Sequence, residues 1–173
     1  MKRHLFKRLV NSYYFFLDKI SHFRYEKKYP KYLRWLGINA EDGCGWIHPK
    51  TFFDASGYNL ISIGKGTIIS FGVKILVHDT SIVPASKFLG KKMPSKVISK
   101  EVKIGRNCFI GADTIILPGT TIQDGVIVGA GSVVRGNLEK GCIYIGNPAT
   151  KVSTVDKFIE KHGELFCTKE TDK

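Results

Sequence analysis

"VKIGRNCFIGADTIILPGTTIQDGVIVGAGSVV", residues 102–134, keeps a period that neither a helix nor an ordinary strand keeps. Ile104, Ile110, Ile116, Ile122 and Val128 fall six residues apart, and Ile98 stands one step before them. Upstream, Ile63, Ile69 and Ile75 repeat the same step. Counting each of these as position one, position two is often glycine (Gly64, Gly105, Gly111, Gly129), as expected of a tight corner. Position five is small or β-branched: Thr67, Val73, Val102, Cys108, Thr114, Thr120, Val126 and Ser132. An aliphatic and a small residue on the inner side, with a corner between them, describe a short flat strand that turns after every hexad. A single hexad cannot bury its own apolar edge, but stacked coils cover one another. A β-sandwich would instead alternate with period two and turn every roughly 8–12 residues. The expected fold class is therefore mainly β, a hexapeptide-repeat solenoid over residues 38–149.

The ladder is broken once, by "VHDTSIVPASKFLGKKMPSKV" at 77–97. Residues 81–97 read as a loop inserted into the solenoid, and long projections from rigid scaffolds are where binding residues concentrate. The loop carries Pro84, Pro94, Lys87, Lys91, Lys92 and Lys96. By phase His78 is the fourth residue of its hexad, at a corner and pointing outward. Asp79 is the fifth, a slot otherwise kept for small or β-branched residues, so an inward carboxylate is expected there. Such a group needs hydrogen bonds. Either it caps the backbone of the departing loop or it helps fix the imidazole tautomer.

Two flanks complete the chain. Residues 1–37 read as a basic amphipathic helical segment, with Leu5, Leu9, Tyr13, Phe16, Ile20 and Phe23 as its stripe and Pro30 as its end. Ten Lys/Arg stand against Asp18 and Glu26 in residues 1–36, supplying +8 of the chain's +12. The stripe either packs on the domain or a neighbouring subunit, or rests on a membrane surface. No nucleic-acid recognition motif accompanies the charge, so no nucleic acid partner is expected. Residues 150–173 read as a C-terminal helix and tail, with Val152, Val155, Phe158, Ile159 and Leu165 closing the open end of the stack. Cys44, Cys108, Cys142 and Cys167 lack metal-type spacing, and no signal peptide or spanning segment is legible. A cytoplasmic protein, at most membrane-associated, is expected.

Residues 102–152, ending in "GNPATKV", resemble the hexapeptide-repeat acyltransferase superfamily, in particular the maltose/galactoside and xenobiotic acetyltransferases and the capsule or lipopolysaccharide O-acetyltransferases. The "HD" at 78–79 is similar to the polysaccharide-modifying branch. This resemblance implies a left-handed parallel β-helix, a homotrimer with active sites between subunits, and acetyl-CoA as co-substrate. His78 matches the family's catalytic histidine, and neutral imidazole, with an ordinary pKa of roughly 6.5, suits removal of a hydroxyl proton. His78 and Asp79 are thus the expected catalytic residues. Matching motifs places coenzyme A at Ala112, Ala130, Arg135, Gly136, Thr150 and Lys151, although related chains often have Thr-Lys where this one has Arg135-Gly136. Asp54 in "FFDASG" is a candidate ligand for a sugar hydroxyl. The implied reaction is O-acetylation of a sugar in a surface polysaccharide or its precursor, with no metal. Serine or amino-sugar N-acetylation, or a non-catalytic scaffold, are the competing readings. A zinc carbonic anhydrase on this fold would need three convergent histidines, and the repeat offers His48 and His78.

Overall fold

In the computed structural model, which describes residues 2–166, the coils form a three-sided parallel β-helix. Most strands on its faces are two or three residues long. One face stacks the strands beginning at Asn39, Ile61, Val102, Thr121 and Asn137. The next stacks those at Ile68, Phe109, Ile127, Cys142 and Ala149, and the last those at Phe52, Lys74, Ile115 and Val133. Ile63, Ile69 and Ile75 lie in parallel register with Ile104, Ile110 and Ile116. The six-residue rungs therefore sit directly over one another, and the axis of the solenoid is a column of aliphatic side chains. The small residues two positions before each rung are buried with them, Thr67, Thr114, Thr120 and Ser132 included. Their hydroxyls bond to carbonyls of their own or the next coil, such as Thr67 Oγ1 to Gly105 O at 2.7 Å and Ser132 Oγ to Gly129 O at 2.7 Å. This is why threonine and serine are accepted in an apolar column.

The glycines serve two purposes, and the position-two set does not supply the left-handed corner expected of it. Those directly after a rung do not have positive φ; they allow the next coil to approach. A Cβ on Gly111 would stand 2.4 Å from the Ala130 nitrogen, and one on Gly64 2.6 Å from Gly105 C and O. The left-handed turn instead falls three residues after each rung, at Gly66, Gly72, Asn107, Asp113, Gly119, Gly125 and Gly131, all with positive φ. That conformation favours glycine and tolerates Asn and Asp.

The N-terminal segment is a hairpin of two helices, α1 (Lys2–Ile20) and α2 (His22–Leu36). Pro30 lies inside α2 and does not end it; the break falls at Ser21, and Gly37, left-handed at φ 102°, ends α2. The helix holds across the proline because Tyr25, Tyr29, Tyr32 and Leu33 of α2 are buried in the core. Burial pushes the Tyr32 hydroxyl pKa up to about 12 and that of Tyr29 further still. The hairpin is tied to the first coil by Tyr25, whose hydroxyl donates to Ile47 O, and by Trp46 Nε1 donating to Asp18 Oδ1 at 3.1 Å. The face that packs is Val10, Tyr14 and Leu17. Of the readings of the stripe, packing on the chain's own domain is the one the structure excludes: Leu9, Tyr13, Phe16, Ile20 and Phe23 are exposed within the single chain; the side chain of Leu5 lies outside the described residues.

Two further expectations change. Ile98 is not a rung: it is 37% exposed and pairs with Asp79 in an antiparallel hairpin. The ladder resumes at Val102 and Ile104 and continues to Val134. At the C-terminus, Ala149–Thr154 is a strand, antiparallel to Cys142–Gly146, and the helix is confined to α4, Val155–Lys161, as numbered after the loop helix α3, Ile82–Phe88. A strand satisfies the open N–H and C=O groups of the last rung, which a helix cannot. Val152, Phe158, Ile159 and Leu165 remain exposed, so they do not form the expected buried cap.

Candidate active site

His78 occupies the fourth position of its hexad, the slot that turns left-handed in the neighbouring hexads. Here the backbone stays extended, and His78–Asp79 pairs with Ile98–Ser99 as the root of the loop. A histidine in place of glycine therefore coincides with the chain leaving the coil.

The imidazole is held from the coil above. Phe52–Phe53 pairs with Lys74–Ile75, and Asp54, the residue after the pair, is thereby set beside Val77 and His78. Asp54 is only 4% exposed. Its Oδ2 accepts from the backbone N–H of Val77 at 3.1 Å and of His78 at 3.2 Å, and contacts His78 Nδ1. Its Oδ1 accepts from the N–H of Ser56 at 3.0 Å and from the Ser56 hydroxyl at 2.7 Å. Ser56 Oγ is also 2.8 Å from His78 Nδ1. Burial opposes the charge on Asp54, but the bonds from Ser56, Val77 and His78 outweigh it and hold the carboxyl well below the usual carboxylate range. A carboxylate at Nδ1 orders the neutral tautomer that leaves the Nε2 lone pair able to accept a proton.

The surroundings of two expected site residues differ from those the sequence suggested. Both oxygens of Asp54 are engaged inside the protein, where it is the carboxylate partner of His78. Asp79, expected to point inward, is exposed, and its Oδ1 accepts from the Ser81 N–H at 2.7 Å. Of its two readings, capping the departing loop is the one the geometry shows. Ser56 was not foreseen. Its signal is the Asp-x-Ser spacing of "DAS", in which a carboxylate caps the N–H two residues on.

Of the residues expected along coenzyme A, Ala112 and Ala130 lie on stacked corners, with Gly131 N–H donating to Ala112 O at 2.7 Å. Arg135 and Gly136 are exposed just beyond the Val134 rung, and Gly136 has φ 76°. Thr150 and Lys151 lie in the outermost strand, where Lys151 Nζ is 2.8 Å from Glu139 Oε2. Among the described residues, no three His, Cys, Asp or Glu side chains gather as a metal site.

The profile of the bacterial transferase hexapeptide family (six repeats) matches residues 101–136. Protein CapG of Staphylococcus aureus is 36% identical over 130 residues, 75% of this chain and 73% of CapG. WbbJ of Escherichia coli K12, a candidate lipopolysaccharide biosynthesis O-acetyl transferase, is 34% identical over 93 residues, 51% of this chain and 47% of WbbJ. Among solved structures, galactoside acetyltransferase in complex with coenzyme A shares the fold, with a TM-score of 0.55 at 18% identity over 89% of this chain and 83% of that one. Buried rungs, stacked corners and the likeness to CapG lead to one conclusion: the chain belongs to the hexapeptide-repeat acyltransferase family, and it is an acyltransferase built on a left-handed parallel β-helix.

Proposed function

We propose that this chain transfers an acetyl group from acetyl-CoA to a hydroxyl of a sugar in a surface polysaccharide or its precursor, with His78 as general base. The observation that carries the proposal is the Asp54–Ser56–His78 cluster at the root of the loop. Acetyl transfer to an alcohol requires the hydroxyl proton to leave as oxygen attacks the thioester carbonyl. His78 Nε2 takes that proton. The tetrahedral intermediate then collapses, the C–S bond breaks, and the thiolate leaves and takes the proton back from the imidazolium. Asp54 stabilises the imidazolium and keeps the ring oriented, and Ser56 holds the carboxylate in place.

The fit to acetyl-CoA rests on small residues at stacked corners, Ala112 and Ala130, which leave the backbone approachable, and on the cations Arg135 and Lys151 for its phosphates. Lys151 would exchange Glu139 for phosphate. The acceptor class is supported by the name of WbbJ.

A homotrimer is part of the same proposal. Phe88 of the loop is 90% exposed, and Leu89 and Met93 are also uncovered within the single chain. On the face that includes Ile68–Ile69 and Phe109–Ile110, Ile68 and Phe109 are in register and point outward. Exposed apolar surface of this kind supports cover by neighbouring subunits, with each loop lying across an adjacent cleft in the proposed trimer.

The test measures thiol release from acetyl-CoA with a panel of sugar acceptors. His78→Ala should lower turnover by about two or more orders of magnitude with the fold intact. Near-normal turnover in that variant sinks the assignment of the base, and preference for amine acceptors overturns O-transfer in favour of N-transfer.

A further inference from the structure

Helix α1 has two apolar sides, and the core uses one. Val10, Tyr14 and Leu17 pack inward. Leu9, Tyr13, Phe16 and Ile20 recur at intervals of four, three and four, which sets them on one face of a helix. They are 63%, 50%, 61% and 82% exposed, and Phe23 at the start of α2 is 67% exposed. Around them Lys19, Arg24, Lys27, Lys28 and Lys31 are exposed. Lys19 Nζ lies 4.8 Å from the Phe15 ring centroid and Lys27 Nζ 4.2 Å from that of Phe23, so cations flank the apolar stripe directly. Asp18, one of the two acids in residues 1–36, is turned toward the solenoid by Trp46.

The charge selects the occupant. A second copy of this surface would set the exposed cations Lys19, Arg24, Lys27, Lys28 and Lys31 against the same cations. A polyanion such as nucleic acid would neutralise the cations but leave the apolar stripe in water. An anionic bilayer does both: headgroups meet the lysines and the interfacial zone takes the stripe. Among the described residues no helix is long and apolar enough to cross a membrane, so the contact lies in the surface plane. Phe16 also lines a cleft of about 430 Å³ with Phe15, Phe52, Phe53 and Lys50, which extends the apolar surface from α1 onto the first coils.

We propose that the α1–α2 hairpin is a docking surface for anionic lipid, with Leu9, Tyr13, Phe16, Ile20 and Phe23 inserted at the interface and the flanking lysines on the headgroups. This does not depend on the acetyl-transfer reading.

Co-sedimentation of the full chain with vesicles tests it. Phosphatidylcholine vesicles containing about 30% phosphatidylglycerol should bind at least about ten-fold more tightly than phosphatidylcholine alone, and less as salt rises from about 0.1 to 0.5 M. Phe16→Ser combined with Ile20→Ser should weaken binding by about ten-fold or more, as should Lys27→Glu with Lys31→Glu. All four side chains are exposed in the single chain, so thermal midpoints should hold, and His78→Ala should bind vesicles like the parent. Equal binding to both vesicle types overturns the proposal. So does a change of mass in light scattering for the Phe16/Ile20 variant without altered vesicle binding, which would assign the stripe to a second copy. Binding to duplex DNA as tight as to vesicles and indifferent to the serine substitutions would assign the surface to a polyanion and overturn it as well.

Discussion

The coils and helix α1 both carry apolar residues at a regular period, yet the period means opposite things in the two places. In the coils, every rung from Ile104 to Val134 is buried, because a neighbouring coil stacks in register on it. In α1, the stripe spaced by four, three and four is the face left in water, and the residues that pack lie on another side. Periodicity states which residues share a face. Whether that face is buried depends on what the rest of the molecule brings to it, and for α1 the partner is not within the single chain.

Substitutions can sharpen that contrast. Ile110→Ala removes a rung with 0% exposure and should cost roughly 2–5 kcal/mol in urea unfolding. A loss well below this would mean that the coils collapse around the cavity and the column is less close-packed than described. Gly111→Ala should cost about 1–3 kcal/mol, since its Cβ would meet the Ala130 backbone at 2.4 Å. Gly131→Ala should cost less, about 1–2 kcal/mol, because nothing lies within 4 Å and the loss comes from its positive φ. Equal losses at the two positions would show that the two glycine roles are not distinct. Smallest is Ile20→Ala in α1, within about 0.5 kcal/mol despite removing as large an aliphatic side chain as Ile110→Ala.

Asp54 allows a test by pH. Its folded-state pKa is depressed, so its contribution to stability is present above the ordinary aspartate pKa of roughly 3.9 and is lost as pH falls from there toward the folded value. The parent should therefore lose stability relative to Asp54→Asn on acidification below about pH 4. Parallel stability curves for the two proteins would show that the carboxylate is not held as the geometry indicates.

Much of the scaffold was legible because the rungs repeat locally. Ile63 to Ile75 and Ile104 to Val128 can be counted without knowing what covers them, and so can the slot of His78. Ile98 kept the phase but not the role, since its partner is the loop strand at Asp79 and not a coil. The fifth-position count failed at Asp79 for the same reason: once the chain leaves the coil at His78, hexad phase no longer states direction. The partner of His78 was hidden differently. Between Phe53 and Ile63 a short helical turn, Tyr58–Leu60, breaks the six-residue step, so counting back from the ladder does not reach Phe53.

The sequence by itself determined the solenoid, its interruption and the histidine at the break, because six-residue spacing and corner residues are properties of the chain read in order. Tertiary structure alone decided what His78 faces. The parallel pairing of Phe52–Phe53 with Lys74–Ile75 crosses the irregular turn and sets Asp54 and Ser56 against the imidazole. It also decided that α1 turns Tyr14 inward and Phe16 outward, because helix spacing defines faces and only packing assigns them to core or solvent.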